Sequence, residues 1–392
     1  MRHFGDVAGE IYERGVAGER PELPMTAEGL EAAAQAVLPA EAFGYVAGGA
    51  STERTMAANR EAFARWRIVP RMLRGVTERD LSTHLLGTSM AAPILTGPIG
   101  ALGQVHPDAD LGVTRAAAEL GLASVLSTLS SFTLEEVAAA APGSGSWFQL
   151  YWPRDPELAE SLVRRAEAAG YQAVVVTVDT WSLGWRPRDL QLANLPFLRA
   201  EGIANYLSDP VFRSRLDVPP EESAQAMHCA VRHWVAVFGN PGLSWPDLSL
   251  LREWTRLPIV IKGICHPDDA RAAVDHGAEG VVVSNHGGRQ VDGARAALDC
   301  LPDVVRAVGD RVAVLLDSGI RCGADVLIAL ALGAQAVLLG RPWVYGLGLA
   351  GQRGVEHVLR GILGDLDLTL ALAGYARHSE VGVHSVVREC VG

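Results

Sequence analysis

Lysine is almost absent from this chain. Of its 34 lysine and arginine residues, only Lys262 is a lysine, which leaves 33 arginines. A GC-rich genome, which would also account for the abundance of alanine, glycine and valine, explains the missing lysines but not the one that remains. Lysine is a compact point charge that can be set against a single atom, whereas arginine is a planar fork. A lone lysine ending the β-branched run LPIVIKG therefore points to chemistry at that position. Cysteine is scarce too: residues 229, 265, 300, 322 and 390 are odd in number and form no CxxC pair. Such a set fits reduced thiols in a cytoplasm and speaks against a disulfide framework or a zinc site, so no metal is expected. No stretch approaches the ~18 uninterrupted apolar residues of a membrane span. The amino terminus, MRHFGDVAGEIYERGVAGERPELP, carries charge throughout and lacks the apolar core of a secretory signal. Positive charge is in deficit overall. A net charge of −11 argues against nucleic acid or an anionic membrane surface as the main partner.

What is present is an ordinary folded composition, 49% hydrophobic and 20% charged over 392 residues. Eight short apolar β-rich runs recur, at 93–99, 123–129, 147–152, 173–179, 259–263, 280–285, 312–319 and 336–341. Ala-rich helical patterns separate them, such as PELAESLVRRAEAAG (156–170) and GADVLIALALGA (323–334). Continuous apolar strands alternating with helices mean parallel strands covered on the outside. The expectation is a single domain over 1–392, an α/β (β/α)₈ TIM barrel with an amino-terminal helical extension. A doubly wound open sheet is the alternative. About 80 residues separate the fourth and fifth runs, so a long insertion is expected at about 190–250. Within it, Met227, Val231, Trp234 and Phe238 form one helical stripe, which predicts a helix packed on the barrel rim.

In such barrels the active site gathers at the carboxyl ends of the strands. Those ends carry Pro98, Ile99 and Gly100, then Ser127, Gln149, Tyr151, Thr177, Asp179, Lys262, Ser284, His286, Asp317 and Gly340. The loops after the last two strands offer Gly319, Arg321 and Arg341, a pattern suited to a phosphate. In SNHGGRQVDG, His286 could abstract a proton with Asp179 steadying the imidazolium, and Arg289 could hold a carboxylate. On spacing alone the reaction class stays open.

The motifs LTGPIG, FQLYW, TVDT, IKGICHP, SNHGGRQ, DSGIR and LGRP, present together, resemble the FMN-dependent 2-hydroxy-acid oxidase and dehydrogenase family. The likeness runs from about LPAEAFGYVAGGA to HVLRGIL. Within it, FGDVAGEIYERG, IVPRM, DTWSLGWRPRDL and ANYLSDPVFRS resemble the lactate 2-monooxygenase branch. The resemblance implies FMN as cofactor, a small L-2-hydroxy acid and O2 as reactants, and a homotetramer or homo-octamer. It implies hydride transfer to the flavin with His286 as base, supported by Asp179. It places the substrate carboxylate on Arg186, Arg289 and Tyr45, and the substrate hydroxyl on Tyr151. Pro98, Ile99, Gly100, Ser127, Gln149, Thr177 and Ser284 would line the flavin, and Asp317, Gly319, Arg321, Gly340 and Arg341 its ribityl and phosphate parts. Lys262 would sit where the reduced ring gains negative charge.

Gly100, where many oxidases of the family carry alanine, and Leu129 suit the monooxygenase pattern, with acetate, carbon dioxide and water as products. Release of the 2-oxo acid with peroxide is the alternative within the family. Trp152 departs from the pattern; strand alternation turns it away from the site, and if it shaped the pocket instead the substrate would be a larger acid than lactate. Outside the family, a Schiff-base aldolase using Lys262 is the rival reading.

Overall fold

Eight parallel strands close on themselves, each beside its neighbour in sequence and the last beside the first. They are β1 (Ile94–Thr96), β2 (Ala123–Ser127), β3 (Trp147–Leu150), β4 (Val174–Thr177), β5 (Ile259–Ile264), β6 (Gly280–Val283), β7 (Ala313–Leu316) and β8 (Ala336–Leu339). The computed structural model describes residues 3–389; Cys390 lies outside them. The chain forms the expected (β/α)₈ TIM barrel rather than an open sheet.

Strand alternation places every second side chain inside the barrel. Leu95, Val125, Trp147, Val175, Val260, Val282, Leu315 and Leu338 pack together in the interior, with Leu85 and Met90 closing its lower end. The intervening residues, such as Ile94, Leu126, Phe148, Val174, Ile261 and Val281, face outward into the layer shared with the helices. Both faces are dry, so the strands read as unbroken apolar runs. Two residues beyond the eight interior positions, the same parity gives Gly97, Ser127, Gln149, Thr177, Lys262, Ser284, Asp317 and Gly340. The floor of the barrel mouth is thus a ring of polar and small side chains over an apolar plug.

The ladders end two to three residues earlier than most of the apolar runs suggest. Val176, for example, pairs with Ile261 and Thr177 with Lys262, after which β4 leaves the sheet. Residues such as Tyr151, Asp179 and Asn285 therefore stand on loops, free of the pleat and able to turn over the mouth.

Between β4 and β5 the insertion is helical, its longest piece being Ala224–Val237. Ser223 starts it by accepting from the Ala226 N–H at 3.1 Å. Val231 and Trp234 are buried, and Met227 and Phe238 half-buried, so the stripe faces inward as its spacing predicts. Trp234 stacks on Phe238 at 4.8 Å and leans on Phe197 at 5.3 Å, giving the insertion an aromatic core at the rim. The amino-terminal extension contributes Asp6–Val16, Ala27–Val37, Ala40–Ala47 and Arg54–Ala64. Ala40–Ala47 carries Tyr45 and Val46 to the mouth, where both line its cavity. Among the described residues no helix is long and apolar enough to cross a membrane.

Candidate active site

The polar ring opens into a cavity of about 1010 Å³ out to its mouth. Its wall includes Tyr45, Pro98, Ile99, Gly100, Tyr151, Arg186, Lys262, His286, Arg289, Asp317, Gly319, Arg321, Gly340 and Arg341, all singled out in the sequence. Ser127, Gln149, Thr177 and Ser284 do not line it. They are buried in the floor beneath, at the strand ends. Leu129 lines the wall, but Trp152 does not: it turns away and packs on Trp254 at 5.3 Å.

Asp179 and His286 meet on the loops after β4 and β6. The imidazole Nδ1 lies 2.8 Å from Asp179 Oδ1 and 3.0 Å from the Thr180 hydroxyl, which itself donates to Asp179 at 2.8 Å. An ionised carboxylate only accepts, so Nδ1 carries the proton and Nε2 keeps its lone pair. Burial, which alone would raise it, is outweighed at Asp179 by His286 and Lys262, and the carboxyl is held down to about 2. Burial also pushes the imidazole below its ordinary value. Lys262 and Arg186 add to that push and Asp179 opposes it. The result is a neutral base backed by a fixed negative charge. Glycine at 263 is required for the approach: at φ +109° a Cβ there would sit 2.8 Å from the Asp179 side chain.

Lys262 lies in the floor, its Nζ 2.9 Å from Asp317 Oδ2 and 3.0 Å from Ser284 Oγ. Burial disfavours its charge, yet Asp317 and Asp179 prevail and hold the ammonium above its ordinary value. An amine nucleophile has to lose its proton. A lysine locked as a cation in an ion pair does not fit the Schiff-base reading, which is set aside.

Four guanidinium groups surround the cavity, and among the described residues none of Arg186, Arg289, Arg321 and Arg341 has an ion-pair partner. Backbone carbonyls hold them instead. Arg289 donates to Tyr45 O at 2.5 Å and Gly48 O at 2.9 Å, and lies 5.0 Å over the Tyr45 ring. Arg341 donates to Val46 O, Gly287 O and Gly48 O at 3.1, 3.1 and 2.8 Å. Burial, then mutual repulsion with Arg289, draws Arg186 down to about 10 and Arg341 to about 9. Guanidinium groups gathered around one cavity with no carboxylate in salt-bridge contact favour an anion there.

The arrangement accommodates a flavin mononucleotide. Arg321 and Arg341, beside Gly319 and Gly340, suit its phosphate. Gln149 Nε2 and Thr177 Oγ1, buried in the floor with no hydrogen-bond partner, are polar atoms awaiting one. The sequence reading missed Thr180, Ser318 and Gln290, although TVDT, DSGIR and SNHGGRQ contain them. It also missed Leu183 and Phe197, which line the cavity from the loop and insertion after β4, and it placed Phe238 on the rim stripe without giving it to the cavity.

Comparison with known proteins agrees. The family described as FMN-dependent dehydrogenase matches residues 34–388. The chain is 44% identical to an FMN-dependent alpha-hydroxy acid dehydrogenase of Penicillium citrinum, over 95% of this chain and 93% of that protein. It is 43% identical to an L-lactate oxidase of Lysinibacillus sphaericus, over 93% of each. Its fold superposes with a TM-score of 0.82 on a crystal structure of mandelate oxidase with (S)-4-hydroxymandelic acid, at 39% identity, covering 93% of this chain and 99% of that one. The chain belongs to the FMN-dependent dehydrogenase family and is an FMN-dependent oxidoreductase of 2-hydroxy acids.

Proposed function

We propose that the protein oxidises L-lactate and holds the resulting 2-oxo acid until oxygen has reacted, as a lactate 2-monooxygenase: lactate and O2 become acetate, carbon dioxide and water. The carrying observation is the neutral His286, backed by Asp179, facing a cavity that also holds Arg186 and Arg289, neither of them in a salt bridge among the described residues. Those two guanidiniums bind the carboxylate, with Tyr45 beside them. Tyr151 donates to the hydroxyl oxygen, and His286 Nε2 takes the hydroxyl proton while Asp179 stabilises the imidazolium. FMN, which Arg321, Arg341 and the barrel floor would hold, would supply the two-electron acceptor for the α-hydrogen, and Lys262 would place a fixed positive charge beside it. Leu129, Leu183, Phe197 and Phe238 line the remaining wall and give it an apolar surface suited to the alkyl part of the acid. Gly100 is packed tightly enough that a Cβ would meet Leu129 at 2.8 Å, so this wall is set by backbone contact.

Likeness to L-lactate oxidase favours a second reading, in which pyruvate leaves before oxygen reacts and peroxide is the co-product. Product identification by NMR, with L-lactate in air and catalase present, separates the two. Acetate is expected. Pyruvate would make the enzyme an oxidase, since catalase removes the peroxide that decarboxylates free pyruvate.

The pH dependence follows from the same dyad. A proton on the imidazole removes the base, so kcat/KM falls as pH drops through the His286 pKa, which burial holds below 6.5. We expect kcat/KM to stay flat through neutral pH, with its acid limb below pH 6.5. An acid limb centred above 7 would contradict the assignment.

A further inference from the structure

Two loops that meet over the mouth are joined through one side chain to which the roles above give no part. Gln290, next to Arg289, donates through Nε2 to the backbone carbonyls of Asp179 and Ser182, both at 2.8 Å. Its Oε1 accepts from Arg186 Nη2 at 2.8 Å and from the Gly184 N–H at 3.2 Å. A primary amide has two N–H donors and one oxygen with two lone pairs, so these bonds use its whole capacity. They also fix its orientation: nitrogen faces two carbonyls and oxygen faces two N–H groups. The loops press backbone to backbone around it, for a Cβ at Gly184 would lie 2.6 Å from Arg289 O and 2.7 Å from Gln290 O.

The neutrality of that amide has an electrostatic consequence. Arg186 is buried, and its Nε is taken by Arg289 O at 3.2 Å. Its remaining fixed acceptor is the Gln290 oxygen, a dipole rather than a charge. A carboxylate at this place would accept from the same N–H groups but would cancel the guanidinium's charge. It would also set its second oxygen against the carbonyls of Asp179 and Ser182. Glutamine is the side chain of this length that holds the arginine fork and leaves its charge free.

We propose that Gln290 is the positioning residue for capture of the substrate carboxylate, fixing Arg186 without neutralising it and tying residues 179–184 across the mouth. This rests on the carboxylate-binding role put forward for Arg186. The test uses the FMN-loaded enzyme and the variants Gln290→Glu, Gln290→Met and Arg186→Gln. KM and kcat are measured with L-lactate, and the Kd of oxalate by calorimetry. Gln290→Glu is expected to raise KM and the oxalate Kd at least tenfold, and at least threefold beyond Gln290→Met, with kcat within about threefold. A lesion that merely loosened the loops would make the two variants alike. Equal effects, or an unchanged KM, would overturn the proposal.

Should Gln290→Glu not fold, Gln290→Met decides alone: a raised KM with kcat retained supports the proposal, and an unchanged KM sinks it. Arg186→Gln separates the premise from the inference. If it leaves oxalate binding intact, the carboxylate reading of Arg186 fails and the proposal with it. If it weakens binding while Gln290→Glu does not, only the proposal falls.

Discussion

Lys262→Met is expected to slow anaerobic reduction by L-lactate by about 10²–10³-fold, the usual range for losing one preorganised charge at a reacting centre. Loss of FMN affinity should accompany it. Two effects have to be separated. Lys262 is 5% exposed and Asp317 14%, so methionine strands a buried carboxylate, and breaking such a pair costs about 3–5 kcal/mol. A lower Tm alone would therefore say little about chemistry. The double variant Lys262→Met/Asp317→Asn removes both charges and should regain much of the lost Tm. Its reduction rate should stay low, because the cation is still missing. Stopped-flow reduction and FMN equilibrium binding on both variants make the comparison. Normal reduction in Lys262→Met would remove the electrostatic role of the lysine.

His286→Gln is the second large effect. Glutamine is close in size and polar, but has no basic nitrogen. A positioned base contributes about 10²–10⁴-fold, and we expect kcat/KM to fall by that factor. FMN content should be unchanged, because His286 belongs to the substrate part of the cavity. The acid limb of the pH profile should vanish with it, since the titrating group has gone. Asp179→Asn should produce a smaller loss: the base survives, but its Nδ1–H loses the charged acceptor at 2.8 Å that sets the tautomer. A His286→Gln variant that kept its acid limb would place the base elsewhere.

The barrel and most of the site were legible in the sequence for one physical reason. Parallel strands covered on both sides are apolar throughout, so a polar residue on the inward parity stands out only where the apolar plug ends. Thr177, Lys262, Ser284 and Asp317 stand out in this way, each two residues past an interior valine or leucine. Ser127, Gln149, Thr177 and Ser284, expected along the flavin, share this inward parity and form the buried floor beside Lys262. Sequence distance alone does not separate the strand ends that open into the cavity from those that stay covered beneath it. Phe197 was out of reach, and Phe238 was placed on the rim but not in the cavity. Their positions depend on how the helices after β4 pack around Trp234, which is decided by contacts distant in sequence. Gln290 was visible in SNHGGRQ, but its function resides in four partners on another loop. Trp152 could be oriented by simple alternation, and its packing on Trp254 agrees.

The arginine cluster has a consequence for how the enzyme is made. Arg341 finds its acceptors 295 and 293 residues back along the chain, at Val46 and Gly48. Arg289 reaches Tyr45 across 244 residues. A ribosome that has released the first seven strands has therefore delivered Ala40–Ala47, Arg289 and most of the barrel, but not Arg341. The bonds from Arg341 to Val46 and Gly48 form only once β8 and Arg341 have emerged. Completion of this side of the cavity is thus coupled to closure of the barrel rather than to any earlier folding unit.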